Sequence, residues 1–171
     1  MCIRDRNNLN ATFLLAEIYF ESEAFDKALE KYELIAAQEV NEYSEKSLVR
    51  AIELLKKKED YTQLISYLEL LSKIASFDEN KRFAALNLLQ VYYHQNQFEK
   101  TRTIALGILE NNAIKENLKW DALLLSARSA LQLKDTLAAL ESYKKLERVS
   151  TTEMATEALL SLIHISEPTR Q

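Results

Sequence analysis

One glycine, one proline, one cysteine, two histidines and one tryptophan are all that 171 residues hold of those types. Each scarcity excludes something. A lone Gly107 cannot build the glycine-rich loop that cradles a phosphate through several backbone N–H groups. A single cysteine closes no disulfide within the chain. No apolar run approaches the ~20 residues that cross a membrane as a helix, so direct membrane insertion is not expected. The near-absence of helix breakers, with leucine, alanine, glutamate and lysine abundant, is what a nearly continuous series of helices requires. It weighs against a mixed α/β fold.

The two ends carry sequence of another kind. Met1–Arg6 reads as the frame translation of a transposon mosaic-end adapter used to fragment DNA for sequencing. Leu160–Arg170 reads as the translation of its reverse complement with the usual extension. Residues 1–6 and 160–171 are therefore read as adapter-like scars, with 7–159 as the helical domain. Cys2, His164 and Pro168 fall in the scars, which leaves no cysteine, no proline and only His94 between them. That pattern excludes nucleophilic Cys/His pairs and clustered histidine metal sites, leaving carboxylates as the plentiful acid/base groups. No catalytic, cofactor-binding or metal-binding residue is expected. Glu21, Glu23 and Asp26, or Glu59 and Asp60, read as solvated turns, because nothing apolar is arranged to raise a pKa. Without the scars, 22 basic and 26 acidic residues become 19 and 24, a net charge near −5. An acidic balance weighs against nucleic-acid binding, which draws its affinity from basic surface. The one dense basic run, Lys56-Lys57-Lys58, reads as a solvated helix end complementing the macrodipole. His94 reads as a surface or cap histidine and Trp120 as a packing residue.

What is present is a repeat. Phe25, Tyr61, Phe98 and Thr136 are 36, 37 and 38 residues apart, and each opens a segment with the same pattern. Six residues upstream stand Tyr19, Leu55, Tyr92 and Ala130. Downstream, at plus three, seven and ten, lie Ala28, Tyr32 and Ile35, then Leu64, Leu68 and Leu71, then Thr101, Ala105 and Ile108, then Ala139, Tyr143 and Leu146. Such offsets place the residues on one helical face. One helix pair cannot bury its own apolar stripe, so each must lean on the next. Helices are expected at about 10–22, 25–39, 42–58, 60–74, 79–95, 97–111, 115–133 and 135–149, with a ninth beginning near 151. They make units of about 9–40, 41–76, 77–112 and 113–149, and the start of a fifth at 150–159. Asp60 and Asp135 can cap second helices, and Ser76 with Glu79 and Ser150 with Glu153 have capping-box spacing. Connections of two to five residues are expected, the roomier at 74–79 and 111–115. Truncation should leave apolar residues such as Phe13, Met154 and Leu159 more exposed than they are in the longer parent.

The pattern resembles the tetratricopeptide repeat, most closely in the first unit through Ala16, Tyr19, Phe25, Ala28 and Tyr32. It departs in its period, longer than the usual ~34 residues, in lacking a closing proline, and in Thr136. The resemblance implies an all-α fold, a right-handed α-α superhelix of four pairs plus the start of a fifth. It also implies a concave face, lined by first helices, that receives a protein or peptide. Carried over, the groove positions are Phe13, Val49, Leu86 and Leu124, then Glu17, Glu53, Gln90 and Arg128, then Phe20, Lys56, Tyr93 and Leu131. The candidate partner-binding residues are Phe13, Glu17, Phe20, Glu53, Gln90, Tyr93 and Arg128. The family's carboxylate clamp needs lysine and asparagine where this chain has neither, which disfavours capture of a peptide C-terminus. The expected function is a non-catalytic interaction scaffold, a window onto a longer solenoid. The alternative is the regulatory arm of an enzyme or transcription regulator whose active domain lies elsewhere. The long period is similar to that of repeat proteins of the bacterial cell envelope, which implies a periplasmic or envelope setting.

Overall fold

The computed structural model describes residues 3–112, 114–149, 156 and 160–161. Among these there are eight helices and no strand: α1 (Ile3–Glu21), α2 (Phe25–Ala36), α3 (Ser44–Lys58), α4 (Tyr61–Ile74), α5 (Asp78–His94), α6 (Phe98–Glu110), α7 (Glu116–Gln132) and α8 (Thr136–Val149). The chain is all-α, with adjacent helices packing in the repeat-like manner of a helical solenoid. It divides into two compact units, Met1–Ala84 and Ala85–Gln171. In the first, α1 packs on α2, α2 on α3 and α3 on α4. In the second, α6 packs on α7 and α7 on α8. The ninth helix and the Ser150/Glu153 box lie outside the described residues.

Each pair turns over the same hinge. Glu23, Glu59, Asn96 and Lys134 all have positive φ, between 57° and 60°, and sit two residues before the position that opens the second helix. In the first pair the Ala24 N–H donates to the Tyr19 carbonyl (2.9 Å) and the Glu23 N–H to that of Phe20 (3.1 Å). Gln97 and Asn96 repeat this on Tyr92 and Tyr93, and Asp135 and Lys134 on Ala130 and Leu131. This is the Schellman termination, which satisfies carbonyls the helix end would leave open. Its left-handed residue is ordinarily glycine, and a side chain there costs about 1–2 kcal/mol. Glu59→Gly should therefore stabilise the fold by about 0.5–1 kcal/mol, after glycine's greater unfolded-state entropy is subtracted. Asn96→Gly should gain less, since asparagine tolerates this conformation. Urea melts of the two variants check the ranking, and a lower midpoint for Glu59→Gly would contradict it.

The second helices begin with mixed capping. Asp60 Oδ1 accepts from the Gln63 N–H and Asp135 Oδ1 from the Ala138 N–H, both at 3.1 Å, as their positions predict. Ala24 and Gln97 supply no side-chain cap. Ser76 does not act as the sequence suggests. The carboxylate of Glu45, in the first turn of α3, takes over: Oε1 accepts from the Ser76 N–H (2.7 Å) and from its hydroxyl, and Oε2 accepts from Asn80 Nδ2 (2.7 Å). The longest connection between described helices is also not the expected one. α2 stops at Ala36 instead of 39 and α3 starts at Ser44 instead of 42, leaving 37–43 as a loop. Asn41 builds it, with Oδ1 accepting from the Tyr43 N–H and its own N–H donating to Ser44 Oγ. Such asparagine bonds offer the backbone an alternative to helix. At the other end, α1 begins at Ile3, inside the adapter-like segment.

The columns read from the sequence form the core. Ala28, Tyr32, Ile35, Leu64, Leu68, Leu71, Thr101, Ala105, Ile108, Ala139, Tyr143 and Leu146 are all buried, as are Ala16, Ile52, Leu89 and Ala127 on the first helices. In the second unit Leu89, Ala105, Ile108, Ile114 and Ala122 form one cluster. Leu123, Ala127, Tyr143 and Leu146 form another, with Trp120 packed against it as anticipated. His94 is exposed at the end of α5. The lysine run ends α3 as read, but two of its members also hold α2: Lys57 lies over the Phe25 ring (4.5 Å) and Lys58 pairs with Asp26. Phe13 is half-buried, stacked on Tyr43 at 5.1 Å. The exposed large apolar side chains described on α1 are Leu14, Leu15 and Ile18. Ile18 is 60% exposed, whereas Leu54, one period on in the α3 that α2 covers, is 1% exposed. Met154 and Leu159 lie outside the described residues.

Candidate partner-binding face

In the first unit, α2 packs on both α1 and α3, and side chains of α1 and α3 meet around Arg50. Its Nε lies 3.4 Å from Glu17 Oε1 and its Nη1 lies 3.2 Å from Glu53 Oε2. The guanidinium carbon sits 4.7 Å from the centre of the Phe20 ring, within cation–π range. From beneath, the Tyr32 hydroxyl donates to Glu17 Oε1. One guanidinium thus joins two carboxylates and an aromatic face from two helices, an arrangement that its planar fork of donors suits and an ammonium would not.

The electrostatics keep this cluster charged. Partial burial alone would lower the Arg50 pKa, but the Glu53 hydrogen bond and the charges of Glu17 and Glu53 outweigh it and hold the cation firmly protonated. Burial drives the Tyr32 phenol well above its usual range, and the bond to Glu17 adds to the shift. Tyr32 therefore stays a neutral donor at any physiological pH.

Beside the cluster opens a cavity of about 330 Å³, lined by Phe13, Glu17, Lys46, Val49, Arg50 and Asn80. Phe13 forms one wall and is itself braced by Tyr43 and by a tilted contact with Tyr32 at 6.2 Å. Phe20 is braced edge-on by Phe25 at 6.0 Å. The lining mixes aromatic and aliphatic surface with a carboxylate, a guanidinium, an ammonium and an amide, which together can both donate and accept hydrogen bonds.

Of the sequence-predicted residues, Phe13, Glu17, Phe20 and Glu53 are brought together here. Gln90, Tyr93 and Arg128 lie in the second unit. Gln90 is exposed on α5, Tyr93 is half-buried and edge-on to Phe98 at 5.9 Å, and Arg128 is half-buried on α7. Arg50, at the centre of the first cluster, was not among the predicted residues. Its spacing of three from Glu53 is a legible helical pair. Its reach to Glu17 and Phe20 depends on how α1 and α3 pack, which the sequence does not show. Among the described residues no three His, Cys, Asp or Glu side chains group to hold a metal ion. None of the described helices is long and apolar enough to cross a membrane. No protein-family model matches the chain, and no curated protein matches it in sequence.

Proposed function

We propose that this chain is a non-catalytic interaction scaffold of the tetratricopeptide type, which takes a protein or peptide segment on the face made by its first helices. The observation that carries the reading is the cavity beside Arg50, where Phe13 and Val49 offer apolar surface next to a fixed guanidinium–carboxylate pair. Half-buried aromatics with an arginine at their centre are the composition of interface hot spots. Their mutual packing means little side-chain freedom remains to be lost when a partner docks, which favours affinity. Gln90, Tyr93 and Arg128 hold the corresponding family positions on α5 and α7, within the second unit. The recurrence of one pattern at a nearly constant spacing, with a left-handed residue before each second helix, supports the family reading.

Photo-crosslinkers placed at Phe20 and Glu53, with Leu34 on α2 as the control, test the proposal in cells that produce the protein. Capture of a discrete protein from Phe20 and Glu53 but not from Leu34 is the expected outcome. Capture from Leu34 alone would overturn the assignment of the face.

A further inference from the structure

A second surface of the first unit lies where the loop 37–43 meets the start of α5. Two large apolar side chains stand in solvent there: Val40 is 67% exposed and Phe77 is 68% exposed. Both line one depression of about 670 Å³, together with Asn41, Glu42, Glu45, Lys46, Ser76, Asp78, Glu79 and Asn80.

Phe77 breaks a local rule. It directly precedes α5, and its carbonyl accepts the first helical bond, from the Lys81 N–H at 3.1 Å. Serine, threonine, aspartate or asparagine is preferred at such a position, because their side chains cap the helix. Phenylalanine cannot cap, and here it does not pack either. The capping is done from α3 by Glu45, which receives Ser76, Asn80 and the Phe77 N–H itself. Hydrogen bonds therefore fix the backbone of Phe77 while its ring is left outside. On the other side of the depression, the loop bearing Val40 is fixed by the bonds of Asn41 to Tyr43, Ser44 and Glu39. The residue one period beyond Phe77 is Ile114, which folds into its own core and is 4% exposed. An apolar residue at this junction can thus be buried by the chain, and at Val40 and Phe77 it is not. Local rules broken without a local gain mark functional positions.

The charge around the two side chains selects the partner. Glu42, Glu45, Asp78 and Glu79 face Lys46, with Lys81 lying 3.5 Å from Asp78. The N-termini of α3 and α5 add roughly half a positive charge each. Counting Lys81, the four acids exceed the lysines by two, so these dipoles leave a net of about −1. We infer that Val40 and Phe77 form a docking site for a basic, extended peptide segment bearing apolar side chains. The apolar residues cover the phenyl and isopropyl groups, and lysines or arginines meet the acidic rim. This site is separate from the Arg50 cluster and does not depend on the function proposed for it.

Fluorescence anisotropy tests the inference on the full chain, with a fluorescein-labelled peptide of alternating lysine and leucine as probe and a lysine–serine peptide as control. The lysine–leucine peptide should bind and weaken as salt is raised. Phe77→Ser and Val40→Ser should each reduce its affinity by roughly ten-fold or more. Both side chains are exposed, so both variants should melt as the parent does. Leu34→Ser, at an exposed residue of α2 that lines neither cavity, should bind the peptide as the parent does. Equal binding by the Phe77→Ser variant, no binding of the probe, or equal affinity for the lysine–serine peptide would overturn the proposal. So would Phe77-dependent sedimentation with phosphatidylcholine vesicles in the absence of peptide binding, which would assign the patch to a lipid surface.

Discussion

Tyr32→Ala is expected to destabilise the fold by about 3–5 kcal/mol, the cost of emptying a buried aromatic site. Tyr32 is fully buried on α2, its ring meets Phe13, and its hydroxyl donates to Glu17. The alanine variant loses the transfer free energy of the ring, leaves a cavity where the ring stood, and removes a donor from a carboxylate. For a chain of this size the loss should appear as a fall in Tm of roughly ten degrees or more. Tyr32→Phe separates the two contributions. It keeps the ring and deletes the bond, so it should cost about 1 kcal/mol, since Glu17 is half-buried and keeps Arg50 as a partner. A thermal melt unchanged by Tyr32→Ala would mean the helical register is wrong.

Leu68→Ala should cost about 2–5 kcal/mol. Leu68 stands one period after Tyr32, fully buried on α4. Its neighbours along the same helical face, Leu64 and Leu71, are buried to the same degree and are held by their own packing. Little collapse into the space is therefore available, which places the cost in the upper half of the range. Urea unfolding at equilibrium measures it through the midpoint, with the slope reporting any change in the unfolded state.

The helices and core columns were legible because both rest on one periodic signal. Every second helix was placed to within about three residues at each end, and the residues at plus three, seven and ten are buried in all four pairs. Asp60 and Asp135 were legible as caps, since a cap acts on a backbone N–H three residues away. What acts across tens of residues was not. Ser76 looked like a cap by spacing, but Glu45, 31 residues earlier, took its place once folding brought the two together. The loop at 37–43 was hidden because residues 37–39 continue a helical composition, and the bonds of Asn41 decide against it. The face at Arg50 was half legible. Family positions named Phe13, Glu17, Phe20 and Glu53, but the guanidinium joining them sits one residue after a groove position. The shared left-handed turn showed in sequence only as a polar residue recurring two positions before each second helix.

The claim on which the rest stands is that this register decides which side chains are inside and which surface is left for a partner. Alanine variants along one column test it most directly, compared by urea melts with leucines that neighbour the column. Tyr32, Leu68 and Tyr143 are buried, while Leu34, Leu106 and Leu137 are exposed on α2, α6 and α8. The account predicts losses of about 2–5 kcal/mol for each of the first three and within about 0.5 kcal/mol for each of the others. Losses at Leu34, Leu106 and Leu137 equal to those in the column would contradict it.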